Sequence, residues 1–260
     1  MKKPTFNLEG KIAAITGAAG VLCSNMAFAL AEAGVKVALL DLNVAKAKEL
    51  AAEINKSGGK AVGVECNVLK KDSIEAALAT VLAEYGDVDI LINGAGGNHP
   101  KATANDQMSF FDIPEDALKF VFDLNCMGTL IPSQVFGAHF MKVNKGNILN
   151  ISSMGAIRPL TRVVAYSAAK AAVSNITQWL ATYFAKNGAP NVRVNAIAPG
   201  PIMTERARQR GAQANEHVAS MIPLGHLGEP DDIAGGMEYL LKARFVHGQT
   251  LSINGGMYMP

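Results

Sequence analysis

Tyr166 and Lys170 stand four residues apart in "YSAAK", at the start of a stretch with helical period, so both side chains project from one face within reach of each other. A cation beside a phenol favours the phenolate. Moving a tyrosine from its ordinary pKa of about 10 toward neutrality takes roughly 4 kcal/mol of differential stabilisation, and a group so poised can act as general acid and base. A YxxxK pair standing alone is more often an exposed tyrosine and lysine on a helix. Here it has company: Ser153 lies thirteen residues upstream in "NISSM", where an apolar run ends, and Asn125 sits in "DLNCMG", inside a long helical stretch before it.

A second constellation lies near the N-terminus, in "ITGAAGVLC" (residues 15–23), where a strand ends at Thr16-Gly17 and a helix begins within a few residues. Such a turn aims free backbone N–H groups and the positive helix end at whatever binds there, and pyrophosphate fits that geometry. Simple packing of helix on strand would give the same pattern. The next apolar run ends in "LLDLN" and places Asp41 where an acidic residue accepts hydrogen bonds from an adenosine ribose and repels a 2′-phosphate. No Arg or Lys directly follows Asp41, and Ser24, not a cation, follows Cys23, so NAD is expected as cofactor; Lys46 keeps NADP open.

The elements that must hold these groups alternate along the whole chain. Short runs rich in branched residues, "KIAAIT", "KVALLD", "AVGVE", "DILIN", "NILNIS", "VRVNAIA" and "TLSIN", read as seven strands covered on both faces, as parallel strands are. Helices are expected at 21–34, 44–59, 71–86, 115–142 and 165–188, several of them followed by glycine at the C-cap position. The expected architecture is α/β: a Rossmann-type, doubly wound parallel seven-stranded sheet forming a single domain over 1–260, with ligands beyond the carboxyl ends of the strands. The polar segment 204–221 between two proline-containing turns is a candidate lid over the substrate.

Composition bounds what such a domain can do. With 24 basic and 22 acidic residues spread evenly, the chain has no basic block for nucleic acid. "MKKPTFNLEG" has no apolar segment after its lysines, and no run approaches a membrane span, so a cytoplasmic protein is expected. Cys23, Cys66 and Cys126 show no C-x-x-C spacing and the five histidines no ligand spacing, so neither a disulfide framework nor a metal is expected.

Taken in order, "TGAAGVLC", "DLN", "NGAG", Asn125, Ser153, "YSAAK", "PGPIMT" and "GHLGEPDDIA" resemble the short-chain dehydrogenase/reductase family over nearly the whole chain. The resemblance implies an NAD(P)-dependent oxidoreductase acting on CH-OH groups, with Asn125, Ser153, Tyr166 and Lys170 as its catalytic set. Tyr166 would move the hydroxyl proton, Ser153 hydrogen-bond the substrate oxygen, Lys170 hold the nicotinamide ribose and lower the tyrosine pKa, and Asn125 keep a water leading to Lys170. Gly17, Ala19, Gly20, Val21, Leu22, Asp41 and Leu42 would hold the pyrophosphate and ribose, Asn67 and Val68 the adenine, and Asn93, Gly94 and Ala95 the adenosine side. Pro199, Gly200, Ile202 and Thr204 would border the nicotinamide.

Against the family's glycine pattern, Gly17 is the first glycine while Val21 and Cys23 stand at the second and third positions, with Gly20 one residue early. Val21 is expected to crowd the pyrophosphate, Gly20 to restore backbone freedom, and Cys23, in the first turn of a helix, to have a lowered pKa and to be shielded from alkylation by bound NAD. For substrate, the polar run with Asn98, His99 and Lys101, together with Arg158 and Arg162, suits a hydroxylated anion held through its carboxylate. "GAAGVLCSNMA", "LINGAGGNHPKAT" and "FDLNCMGTL" also resemble a narrower group within the family, its D-mannonate oxidoreductases, or fructuronate reductases, which implies D-fructuronate and D-mannonate as the sugar-acid pair. Polyol or gluconate 5-dehydrogenases, 3-oxoacyl-carrier reductases and a non-catalytic nucleotide sensor are the alternatives. Family members pair through the helices bearing Asn125 and Tyr166, where Phe136, Phe140 and Trp179 fall, which implies a homotetramer.

Overall fold

A computed structural model describes residues 7–158 and 160–258. Its centre is one seven-stranded parallel sheet in the order β3-β2-β1-β4-β5-β6-β7. The strands are β1 (Ile12–Thr16), β2 (Lys36–Asp41), β3 (Lys60–Glu65), β4 (Ile90–Asn93), β5 (Gly146–Ile151), β6 (Val192–Pro199) and β7 (Thr250–Ile253). All seven expected strands form, within a residue of their apolar runs. β1 and β4 are buried along their whole length, which only a sheet covered on both faces allows. Alternate residues divide between the two faces: Ala13 and Ile15 pack toward α1 (Val21–Glu32), α2 (Val44–Lys56) and α9 (Pro230–Lys242), while Ile12 and Ala14 pack toward α3 (Lys71–Tyr85), α5 (Gly128–Val143) and α6 (Val164–Lys186). Gly34, Gly58, Gly86 and Gly188 lie beyond helix ends with φ between 79° and 92°, the left-handed C-terminal geometry their sequence positions suggest.

Strand order reverses between β1, which continues to β2 on one side, and β4 on the other. At such a switch point the crossover helices diverge and leave a crevice above the carboxyl ends. At the opposite end, Asp89 fastens β4 to β1: its carboxylate accepts from the Ile12 N–H at 3.1 Å and pairs with Lys11 and Lys145.

The expected single helix 115–142 is two. After α4 (Glu115–Phe122) the backbone makes a π-turn over Asp123–Met127 and then continues as α5. α9 was not expected from periodicity, because Gly235 and Gly236 interrupt it; Gly236 lies against Ile253, whose Cδ1 is 2.1 Å from where a Cβ would stand, so the glycine lets α9 close onto β7. Segment 204–221 forms α7 (Glu205–Gln209) and α8 (Ala212–Ser220), joined at Gly211 with φ 93° and anchored by Ala207, Ile222 and Leu227. Of the three aromatic residues on the helices expected to pair, Phe136 and Phe140 point into the core and Trp179 is exposed. Among the described residues no helix is long and apolar enough to cross a membrane, and no His/Cys/Asp/Glu group could hold a metal.

Candidate active site

β1 stops at Thr16 because Gly17 turns the backbone with φ +64°, and a Cβ there would stand 2.6 Å from the Ala95 Cα. Only glycine fits both conditions. Thr16 holds the opposing segment in place: its Oγ1 accepts from the N–H groups of Gly94 at 3.2 Å and Ala95 at 3.3 Å. Gly20 then caps α1 with no side-chain hydrogen bond, leaving the first-turn N–H groups facing the crevice. Its φ of −76° and ψ of 154° suit any residue, so the backbone freedom expected of Gly20 is not used.

The crevice above this turn, about 350 Å3, is lined by Gly17, Gly20, Val21, Leu22, Cys23, Asp41, Gly94, Gly96, Gly97, Ile151, Tyr166 and Lys170. It therefore joins the phosphate-type turn to the YxxxK pair across more than a hundred residues of sequence. Asp41 ends β2 beside it; its carboxylate accepts from Ala19 N–H at 2.9 Å and Asn43 N–H at 2.8 Å, so it also shapes the turn. Val21 is 44% exposed, stands at the first position of α1 and lines the crevice.

Cys23 corrects the sequence expectation. It is buried, and burial pushes its thiol up to about 12, with Lys170 opposing and Asp41 reinforcing weakly; it is not a helix-activated thiolate. Its Sγ lies 2.0 Å from where a Gly94 Cβ would be, so sulfur fills the gap between α1 and β4. A first-turn position lowers a thiol pKa only where the thiolate keeps its solvation.

β5 delivers Ser153, whose Oγ accepts from Gly155 N–H at 3.0 Å and whose hydroxyl acts on Tyr166 by lowering its pKa. α6 carries Tyr166 and Lys170 on one face, with Nζ 5.7 Å from the phenol centroid and donating to the Ile151 carbonyl at 2.7 Å. Burial raises the Tyr166 pKa, partly offset by Ser153. The protein alone thus keeps the phenol protonated, whereas the YxxxK spacing suggested a depressed pKa; desolvation of phenolate outweighs its neighbours.

Burial lowers Lys170 from 10.5 to about 8. Because the folded value lies below the unfolded one, the cost of burying the ammonium is fully present below about pH 8 and is relieved as pH rises toward 10.5. Lys170→Met should therefore be more stable than the parent at pH 7, by an amount on the order of a few kcal/mol. Chemical denaturation at pH 7 and pH 10 should show that advantage shrinking at the higher pH.

The π-turn places Asn125 against the loop after β4: Oδ1 accepts from Gly97 N–H at 3.0 Å, and Nδ2 donates to the carbonyls of Gly97 at 2.7 Å and Val121 at 2.8 Å. Gly96 lies between Asn125 and Lys170, where a Cβ would meet Asn125 Oδ1 at 2.6 Å and Lys170 Nζ at 3.1 Å. Gly96, Gly97 and Ile151 are crevice residues that sequence reasoning passed over. The glycine pair following "NGA" was the available signal.

Other expected residues are not among those lining this crevice. The Asn93 side chain turns away from it, donating to Ser133 Oγ at 2.9 Å and Asn150 Oδ1 at 2.8 Å inside the core. Asn67 accepts from Leu69 N–H at 3.0 Å, Val68 is buried, and Leu42 is exposed. Gly200 packs on Asn254, Pro199 pairs with Ile253, Ile202 bridges to Gly228, and Thr204 caps α7. The loop wall holds Asn98, bonded to Thr103, and His99, whose Nδ1 accepts from Lys101 N–H and whose ring meets Phe120 edge-on. Lys101, Arg158 and Arg162 are exposed, and the Arg162 carbonyl accepts from Ala104 N–H at 2.8 Å.

Comparison with known proteins agrees with this geometry. A family profile described as Enoyl-(Acyl carrier protein) reductase matches residues 17–258. An uncharacterized oxidoreductase of Haemophilus influenzae is 42% identical over 96% of this chain and 94% of its own length, and the 2-dehydro-3-deoxy-D-gluconate 5-dehydrogenase of Escherichia coli is 33% identical over 96% of each. A solved structure proposed to be a D-mannonate oxidoreductase from Haemophilus influenzae, with bound NAD, superposes with a TM-score of 0.88 at 42% identity over 96% of both proteins. The chain belongs to the short-chain dehydrogenase/reductase family, dehydrogenases that act on CH-OH groups with NAD(P).

Proposed function

We propose that this enzyme interconverts a keto sugar acid and its hydroxy acid, D-fructuronate and D-mannonate being the pair, with NAD as cofactor. The observation carrying the reading is the single crevice that holds Asp41 at one end and Tyr166 and Lys170 at the other. The Gly17 turn, tight enough to exclude a Cβ, and the uncapped α1 terminus fit a pyrophosphate, while the Asp41 carboxylate suits a ribose diol and disfavours a 2′-phosphate. NAD supplies hydride acceptance and donation there. Asn67 and Val68 would meet the adenine, the backbone of 93–95 the adenosine side, and Pro199, Gly200, Ile202 and Thr204 the nicotinamide. In reduction the protonated Tyr166 hydroxyl gives its proton to the carbonyl oxygen as that oxygen becomes a hydroxyl, and Ser153 hydrogen-bonds the same oxygen. Lys170 holds the nicotinamide ribose and restores charge balance at Tyr166, with Asn125 fixing the loop above it.

Lys101 and Arg158, exposed on the two loops beside the site, are available to a carboxylate, and α7–α8 would cover the bound substrate. The D-mannonate assignment proposed for the solved relative supports the same class. Reduction rates for D-fructuronate, D-tagaturonate, 5-keto-D-gluconate, dihydroxyacetone and acetoacetyl thioester, each with NADH and NADPH, test the reading. D-fructuronate with NADH should be fastest, and reduction of the thioester alone would refute it.

The groove between α5 and α6, about 1220 Å3 and lined in part by Leu130, Met141, Ile176, Trp179 and Tyr183, supports assembly into a homotetramer. Trp179, stacked on Tyr183 at 5.0 Å and 59% exposed, is its most prominent anchor. In sedimentation, Trp179→Asp should produce a smaller species than the parent.

A further inference from the structure

The segment after β4 carries two neighbouring glycines for two different reasons. A Cβ on Gly96 would meet Asn125 Oδ1 at 2.6 Å and Lys170 Nζ at 3.1 Å, so packing alone excludes it. A Cβ on Gly97 would have no atom within 4 Å, yet Gly97 lines the crevice with Ile151, Tyr166 and Lys170. Protein atoms therefore leave open room beside Gly97, next to the group that moves the proton. The loop is tied so that it does not close into that room. Asn125 holds Gly97 through both its N–H, at 3.0 Å, and its carbonyl, at 2.7 Å. Farther along, Ala104 N–H donates to the Arg162 carbonyl at 2.8 Å, and fully buried Ala102 packs in the cluster containing Tyr166. With its N–H and carbonyl engaged by Asn125, Gly97 offers a ligand mainly its α-carbon, and such a surface discriminates by room rather than by hydrogen bonds.

We propose that the room over Gly97 takes the longer arm of a ketone whose carbonyl faces Tyr166, making Gly97 the residue that admits substrates extended beyond a three-carbon ketone. Lys101 and Arg158 offer charge to the far end of such an arm; Gly97 gives the arm its passage. The inference rests on Tyr166 being the reacting centre but not on the substrate being an acid.

The test compares kcat/KM for D-fructuronate with that for dihydroxyacetone, two hydroxymethyl ketones whose second arm has four carbons in one and a single carbon in the other. A side chain at φ 151° strains the backbone whatever its size, but that cost falls on both substrates and cancels in their ratio; lost room does not cancel. Gly97→Ala should lower the ratio of D-fructuronate to dihydroxyacetone at least about tenfold, the worth of a methylene-sized change in a pocket, and Gly97→Leu should lower it further. The NADH dissociation constant of Gly97→Ala should change little. Equal losses on both ketones in Gly97→Ala, or loss of its folding or NADH binding, would mean that the glycine serves only the backbone and would overturn the proposal. If the parent enzyme reduces dihydroxyacetone but not D-fructuronate, the sugar-acid reading fails and L-erythrulose, with a two-carbon arm, takes its place in the ratio. If the parent reduces neither longer ketone, the Gly97 proposal fails as well.

Discussion

Tyr166→Phe should reduce kcat for carbonyl reduction by about 10²- to 10⁴-fold, the usual contribution of a positioned general acid, while the NADH dissociation constant changes little. The ring still fills its place against Ala102, Ala117 and Val121, so the change removes a proton and spares the packing. Burial keeps the hydroxyl protonated, so the parent has its acid ready across the neutral range. The pH profile separates this role from a structural one. With Lys170 near 8, the parent should show an alkaline limb close to that value, and Lys170→Arg should move the limb upward. Stopped-flow binding of NADH alongside steady-state rates would check both statements; equal loss of binding and turnover in Tyr166→Phe would contradict them.

Gly17→Ala should be the most damaging single methyl group in the cofactor half. A non-glycine residue at φ +64° costs about 1–2 kcal/mol, and forcing a methyl 2.6 Å from the Ala95 Cα and 2.7 Å from its nitrogen adds about 1–3 kcal/mol of overpacking. Backbone cannot swing aside as a lysine tip can. We expect a loss of about 2–5 kcal/mol in urea denaturation and weakened NADH binding, because the N–H groups of Gly94 and Ala95 would shift off Thr16. Gly20→Ala is the control. Gly20 has ordinary dihedrals, its Cβ would meet only the Gly17 carbonyl oxygen at 3.2 Å, and the loss should be far smaller.

Strands β1, β2 and β4 were the most legible because they are buried on both faces and so read as nearly unbroken apolar runs, whereas β3 and β7, at the sheet edges, are only partly buried. Tyr166 and Lys170 were legible because four residues is close to a helical turn. Three things were not. α9 hides behind Gly235 and Gly236, although Pro230 at its first position and the reciprocal Glu229–Asp232 capping box were visible signs of a helix start. The family resemblance implied Asn93 on the adenosine side without saying which atoms face it, and strand alternation turns its side chain toward Ser133 and Asn150. The Cys23 pKa depended on whether sulfur faces water or Gly94, which no local pattern encodes.

The turn at Asp123–Met127 adds a residue to what would otherwise be a continuous helix from 115 to 143. Each helical residue advances the direction of a side chain by about 100°, so α4 and α5 are out of phase by the one extra position. Deleting any single amino acid from this turn would let the helix run straight and rotate everything on one side of it relative to the other. Asn125 could then no longer reach Gly97 while Phe136 and Phe140 still pointed into the core. What this stretch must conserve is a count: exchanges of Leu124 or Met127 can be absorbed, but a gap of one cannot.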